Sequence, residues 1–168
     1  PSQNEQQTIS VLYSKGYFDR IASLGPEEIA RLSKAGRIVE ASKIAVPTCR
    51  TFIQHERYDD ATQLVDSLAG DPKLRSQSPE TSASLLYCKA SVLRTKRNYQ
   101  ATYEILRQGL ASAPNDSATR ASFQLEVGRT LYAAGHDFAA IVWLEQAEKE
   151  SFSNGHTAIY YETLRFLS

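Results

Sequence analysis

The chain has 168 residues, with 42% hydrophobic and 23% charged side chains, which suits one folded domain or a short array of small units sharing a core. Nineteen Lys plus Arg balance nineteen Asp plus Glu, which argues against a general electrostatic grip on nucleic acid or an anionic membrane. Only two cysteines occur, Cys49 and Cys88, so a disulfide framework is not expected and a reducing, intracellular compartment, cytoplasmic or nuclear, is.

No apolar run reaches the length of a membrane span, so no membrane insertion is expected. The opening PSQNEQQ is polar and lacks the apolar stretch of a signal peptide. The sequence contains no methionine, which reads as a segment of a longer protein. Strand signals are weak, and apolar residues recur at helical spacing between regular breaks.

The breaks share one form: SKGYFDRI at 14–21, KAGRIVEA at 34–41, QHERYDDA at 54–61, TKRNYQAT at 95–102 and AAGHDFAA at 133–140. Each has a polar or glycine break, then an aromatic or aliphatic residue, then usually a small one. This predicts the turn of a helical hairpin, where a small side chain lets the second helix approach the first. Ala41, Ala61 and Ala140 satisfy that rule, whereas Ile21 and Thr102 are larger.

In chain order, the reading begins with irregular hairpins over 4–45. Pro26 of GPEE is expected at a first helical position, with Glu27 and Glu28 against the positive end of the helix dipole. Asp59 and Asp60 are expected to do the same at the next helix. GDPKLRSQSPE, at 70–80, reads as a loop between hairpins. TSASLLYCKASVLRT then gives a first helix capped by Ser82, and YQATYEILRQGLASA a second, closed by Pro114. SATRASFQLEVGRTLYAAG, capped by Ser117, pairs with FAAIVWLEQAEKES. Leu86, Ala90 and Leu93 share one helix face, as do Leu125, Gly128 and Leu131. The tail at 156–168 reads as a capping helix or the start of a further repeat. About eight to nine helices in antiparallel pairs are expected, stacked because no hairpin buries its apolar face alone.

Catalytic motifs are missing from this pattern. His55, His136 and His156 lie at turns or a helix start, and none has a His or Cys at metal-ligand spacing. No phosphate-binding glycine loop or nucleophile elbow occurs. Cys49 and Cys88 have apolar helical neighbours and read as buried structural thiols. Arg94, Lys96 and Arg97 form either a local anion site or, by preference, a solvated turn. Trp143 reads as a packing residue. No catalytic residue, cofactor or metal is expected.

The segments at about 45–72, 82–116 and 118–151 resemble tetratricopeptide repeats. The second matches that family's pattern at Leu86, Ala90, Tyr99, Leu106, Gly109 and Pro114, and departs at Thr102. The third matches at Gly128, Gly135, Ala140, Leu144 and Ala147, with its aromatic Phe138 one place late and no closing proline. The first matches at Phe52, Tyr58, Ala61, Val65 and Pro72, with Leu68 in place of the family's alanine. The resemblance implies an all-α fold, a right-handed superhelical array of antiparallel hairpins, making one domain over 1–168. It implies a non-catalytic protein–protein interaction scaffold within a larger protein or assembly. The alternative is a regulatory or dimerisation domain of an enzyme or ubiquitin-ligase-type complex, catalysis lying outside the segment. The N-terminal hairpins would suit homodimerisation.

The family's concave groove, carried onto this sequence, is lined by Arg50, Ile53, Tyr87, Ser91, Arg94, Arg129 and Tyr132. Arginine and tyrosine concentrate binding energy, and arginine recognises carboxylates, so a protein segment with acidic and apolar residues is the expected ligand. The family's clamp for chaperone C-termini is not expected, because its asparagine positions read Cys88 and Glu126.

Overall fold

The computed structural model describes residues 9, 11–115 and 117–167. Residues 4–8 and Ser10 of the irregular hairpins, together with the final Ser168 of the tail, lie outside the described residues. All regular structure among the described residues is helical. Residues 11–14 are helical, followed by α1 (Phe18–Lys34), α2 (Ile38–Gln54), α3 (Tyr58–Asp66), α4 (Pro72–Gln77) and α5 (Pro79–Thr95). Then come α6 (Tyr99–Ser112), α7 (Ala118–Ala133), α8 (Asp137–Ser153) and α9 (Thr157–Leu167).

The five quoted breaks are five copies of one helix terminus. A sixth copy, at Gly155, escaped the sequence reading. Each contains one residue at positive φ: Gly16, Gly36, Glu56, Arg97, Gly135 and Gly155. Its N–H donates to the carbonyl three residues back, as Gly36 does to Ser33 at 3.0 Å. The next N–H donates to the carbonyl five back, as Arg37 does to Leu32 at 2.9 Å. This double bond satisfies the carbonyls that a helix end leaves orphaned. Glu56 and Arg97 adopt the same left-handed conformation without being glycine, at φ 59° and 57°.

The residue five places after each of the first five turn points into the joint. Ile21, Ala41, Ala61, Thr102 and Ala140 are all buried, so the two larger side chains occupy the same position as the alanines. Thr102 stays satisfied there because its hydroxyl donates to the Asn98 carbonyl at 2.8 Å. Gly128 lies opposite Ala140: a Cβ on it would stand 3.2 Å from the Ala140 carbonyl oxygen and 2.7 Å from Leu144 Cγ. Gly128 and Ala140 therefore meet face to face across the last hairpin. A Cβ at Gly109 would overlap the Phe123 ring, so the joint between α6 and α7 also depends on a missing side chain.

The helices pack in a regular order. α1 packs on α2, α2 on α3, α5 on α6, and α7 on α8. The first helices of successive hairpins also touch, α2 with α5, α5 with α7, and α7 with α9. Each second helix meets the following first helix, α3 with α5, α6 with α7, and α8 with α9. The core follows this order. Ile21, Leu32, Ile44, Phe52, Val65 and Leu85 fill its N-terminal part, Leu106, Phe123 and Val127 the middle, and Leu125, Leu144 and Ala147 the C-terminal end.

Several expected boundaries move. Pro26 does not start a helix: α1 begins at Phe18, just after the Gly16 turn, and continues through Pro26. Tight packing holds it, since Gly25 lies directly against Thr48 of α2. Glu27 and Glu28 consequently sit in mid-helix, where Glu28 bridges Arg31 at 2.6 Å. Asp59 and Asp60 do lie in the first turn of α3. The loop expected at 70–80 contains α4, capped by Asp71 accepting from the Lys73 N–H, and docked through the fully buried Leu74. Ser82 is not a cap. α5 starts earlier, at Pro79, which has no N–H to satisfy, and Ser82 is buried in its second turn. Ser117 is the cap expected, its hydroxyl accepting from the Arg120 N–H at 3.0 Å.

Candidate functional site

The seven groove residues fall on three first helices that touch in series, α2, α5 and α7. Arg50 is exposed and has no ion pair among the described residues. Ile53 packs half-buried on the N-terminal core. Tyr87 places its ring edge-on to Phe123, with centroids 5.5 Å apart. Ser91 turns inward and donates to the Tyr87 carbonyl at 3.0 Å. Tyr132 is 60% exposed, at the end of α7.

Arg94 and Arg129 converge on a residue outside the expected set. Glu126, on α7, is 1% exposed. Its carboxylate pairs with Arg94 of α5 and lies 3.5 Å from Arg129 of its own helix. Arg129 also reaches Glu162 of α9 at 2.8 Å, and its guanidinium sits 4.9 Å above the Phe166 ring. Arg94, Glu126, Arg129 and Glu162 thus form a ladder across α5, α7 and α9. A buried carboxylate is costly unless it is paired, so Arg94 and Arg129 offset the burial of Glu126. The Tyr87 hydroxyl is pushed well above the usual phenol range, by burial first and then by the Glu126 charge.

None of the seven groove positions is acidic, yet Glu126 and Glu162 already engage two of the three arginines among them. The sequence did hold a signal. Aligned on the positive-φ residues Arg97 and Gly135, Glu126 occupies the column of the buried Cys88. A carboxylate at a buried column calls for a cationic partner.

The Arg94, Lys96 and Arg97 cluster is dispersed. Arg94 turns to Glu126, Lys96 pairs with Asp59 at 2.8 Å, and Arg97 forms the turn itself. Trp143 packs against the middle core, as expected. Cys49 and Cys88 are both buried on the touching helices α2 and α5, and the Cys49 thiol donates to the Ala61 carbonyl at 4.0 Å. The neighbouring Cys88 and burial push the Cys49 thiol far up, away from nucleophilic behaviour. Among the described residues no cluster of His, Cys, Asp or Glu could hold a metal ion, and no helix is long and apolar enough to cross a membrane.

Compared with known proteins, the chain matches no family model, no curated protein and no solved structure.

Proposed function

We propose that the chain is a tetratricopeptide-like solenoid acting as a non-catalytic protein-interaction scaffold within a larger protein or assembly. The observation that carries this reading is the repeated turn. Six helix ends share one hydrogen-bonded geometry, and each first helix packs on the next first helix. Repetition of that kind builds an extended surface rather than an enclosed pocket, and extended surfaces suit peptide or protein partners.

On this reading the partner is a segment with acidic and apolar residues, lying along the first helices. Its anchors are Arg50 and Tyr132, which are exposed. Arg129 adds a contact that α9 already models, since Glu162 and Phe166 offer it a carboxylate and a ring. Reversing the charges of Arg94 and Arg129 would break the internal ladder, so it is a poor test of binding. The informative variant is Arg50→Glu with Tyr132→Ala. A panel of fluorescent peptides combining Asp or Glu with Leu or Phe is titrated against parent and variant by polarisation. The expected result is at least about tenfold weaker, salt-sensitive binding by the variant. Equal binding at all salt concentrations would move the partner off this groove.

A further inference from the structure

The outer face of α8 carries an exposed seam, of which the Phe152 ring also meets the Tyr160 ring of α9 with centroids 5.3 Å apart. Phe138, Val142, Glu145, Lys149 and Phe152 follow one another at spacings of four, three, four and three, the spacing of a coiled-coil core. At 3.6 residues per turn they fall within an arc of about 80°. All five are exposed, Phe138 to 90%, Phe152 to 70% and Val142 to 52%, and Ile141 flanks them at 44%. The opposite side of the helix, at Ala140, Leu144, Ala147 and Ser151, is buried against the protein.

The hairpin fold does not call for this seam. In the preceding hairpin, aligned on Arg97 and Gly135, the positions of Phe138 and Val142 hold Gln100 and Glu104, which hydrogen-bond to each other at 2.8 Å. Further hairpins would leave the seam open as well. A second helix packs on its own first helix and on the following one, and α8 already has both, in α7 and α9.

The order of residues identifies the occupant. In an antiparallel helix pair each first-type core position faces a second-type position of the other chain. Two copies of α8 related by a two-fold axis between positions 145 and 149 place Glu145 against Lys149 of the other copy, and Lys149 against Glu145. The same register places Val142 against Phe152, and Phe152 against Val142, and leaves Phe138 at the edge of the pair, opposite position 156 beyond the end of α8. Sliding by one heptad toward the N-terminus sets Val142 against Glu145 and Phe138 against Lys149, which matches nothing. Neither Glu145 nor Lys149 has an ion-pair partner among the described residues. We infer that α8 is a self-association surface on which two copies of this chain pair antiparallel through Val142, Glu145, Lys149 and Phe152.

The inference is independent of the groove reading, because the seam lies on a second helix and the groove residues lie on first helices. It places self-association on α8 rather than on the N-terminal hairpins. One short helix pair buries less than about 1,200 Å², so the dimer belongs to the weak, concentration-dependent class. The charged centre lowers affinity but fixes register, as polar core positions do in coiled coils.

Sedimentation velocity of the chain from about 5 to 500 μM tests this, over the range where a weak dimer dissociates. The parent is expected to shift from monomer to dimer across that range. Glu145→Lys alone and Lys149→Glu alone are each expected to weaken the dimer at least about tenfold, because each sets two like-charge pairs face to face. An equimolar mixture of these two variants is expected to restore dimer, since every contact then again joins Glu to Lys. The residues are exposed, so melting curves of the variants should overlay the parent and separate association from folding. A parent that stays monomeric to 500 μM, or a mixture no more associated than its components, overturns the inference. In the first case the seam faces a different protein, and in the second the copies meet elsewhere.

Discussion

Gly128→Ala sets two effects of opposite sign against each other in one substitution. Gly128 lies inside α7, where alanine is favoured over glycine by about 1 kcal/mol through helix propensity. The new Cβ, however, would stand 2.7 Å from Leu144 Cγ, 2.8 Å from Leu144 Cδ2 and 3.2 Å from the Ala140 carbonyl oxygen. Leu144 is 2% exposed and packed with Leu125 and Ala147, so it has little room to turn away. The carbonyl belongs to the α8 backbone and moves only if the helix moves. Overpacking of this kind costs about 1–3 kcal/mol, which exceeds the propensity gain. The net expectation is a loss of about 1 kcal/mol, or a fall of about 2–4 °C in melting temperature for a chain of this size. Thermal melts followed by circular dichroism at 222 nm measure it. Leu144→Ala alone should cost about 2–5 kcal/mol, and the double variant should cost about 1 kcal/mol less than the sum, because the added methyl enters the vacated space. The preceding hairpin holds Ala90 at the aligned position, so an unchanged or higher melting temperature for Gly128→Ala would mean that the last hairpin packs no more closely than that one. The tight joint would then be refuted.

Other perturbations probe other parts of the fold. Glu56→Gly and Arg97→Gly should each stabilise by about 1 kcal/mol, because both residues hold a left-handed backbone that glycine adopts without a Cβ clash; chemical denaturation should show higher midpoints. Arg94→Ala combined with Arg129→Ala should cost about 3–5 kcal/mol, since it strands the buried Glu126 carboxylate, whereas Arg50→Ala should change stability by less than about 0.5 kcal/mol. Equal effects in urea titrations would deny the ladder its structural role. Tyr87 ionises less readily folded than unfolded, so its contribution is complete below the unfolded phenol value near 10 and is lost as pH rises beyond it. The melting temperature should fall above about pH 10, and Tyr87→Phe should flatten that fall; a parallel decline in both proteins would place the alkaline sensitivity elsewhere.

The all-helical architecture was legible because it rests on local rules. A left-handed residue ends each helix through bonds to its own last turn, and the small residue five places on permits the next helix to return. Both lie within eight contiguous residues, and five of the six copies could be quoted from the sequence. Gly155 completes the set, although its buried-joint position holds the half-buried Tyr160 rather than a small residue. Positions whose outcome depends on distant partners were not legible. Pro26 has the local chemistry of a helix start, yet the packing of Gly25 on Thr48 carries α1 through it. GDPKLRSQSPE has loop composition, yet burial of Leu74 stabilises a short helix within it.

The candidate site divides along the same line. The family resemblance, carried over position by position, placed Arg50, Tyr87, Arg94, Arg129 and Tyr132 on the first helices of successive hairpins. Only the tertiary structure decided which of these charges are committed. Glu126 and Glu162 lie on neighbouring turns or helices, and a buried carboxylate draws in whichever cations the packing brings within reach. The α8 seam shows the converse. Its four-three spacing is written in the chain, but that spacing fits an ordinary core-facing stripe equally well. Burial of the opposite face by α7 and α9 is what turns it outward, because a helix can present only one face to the protein that holds it.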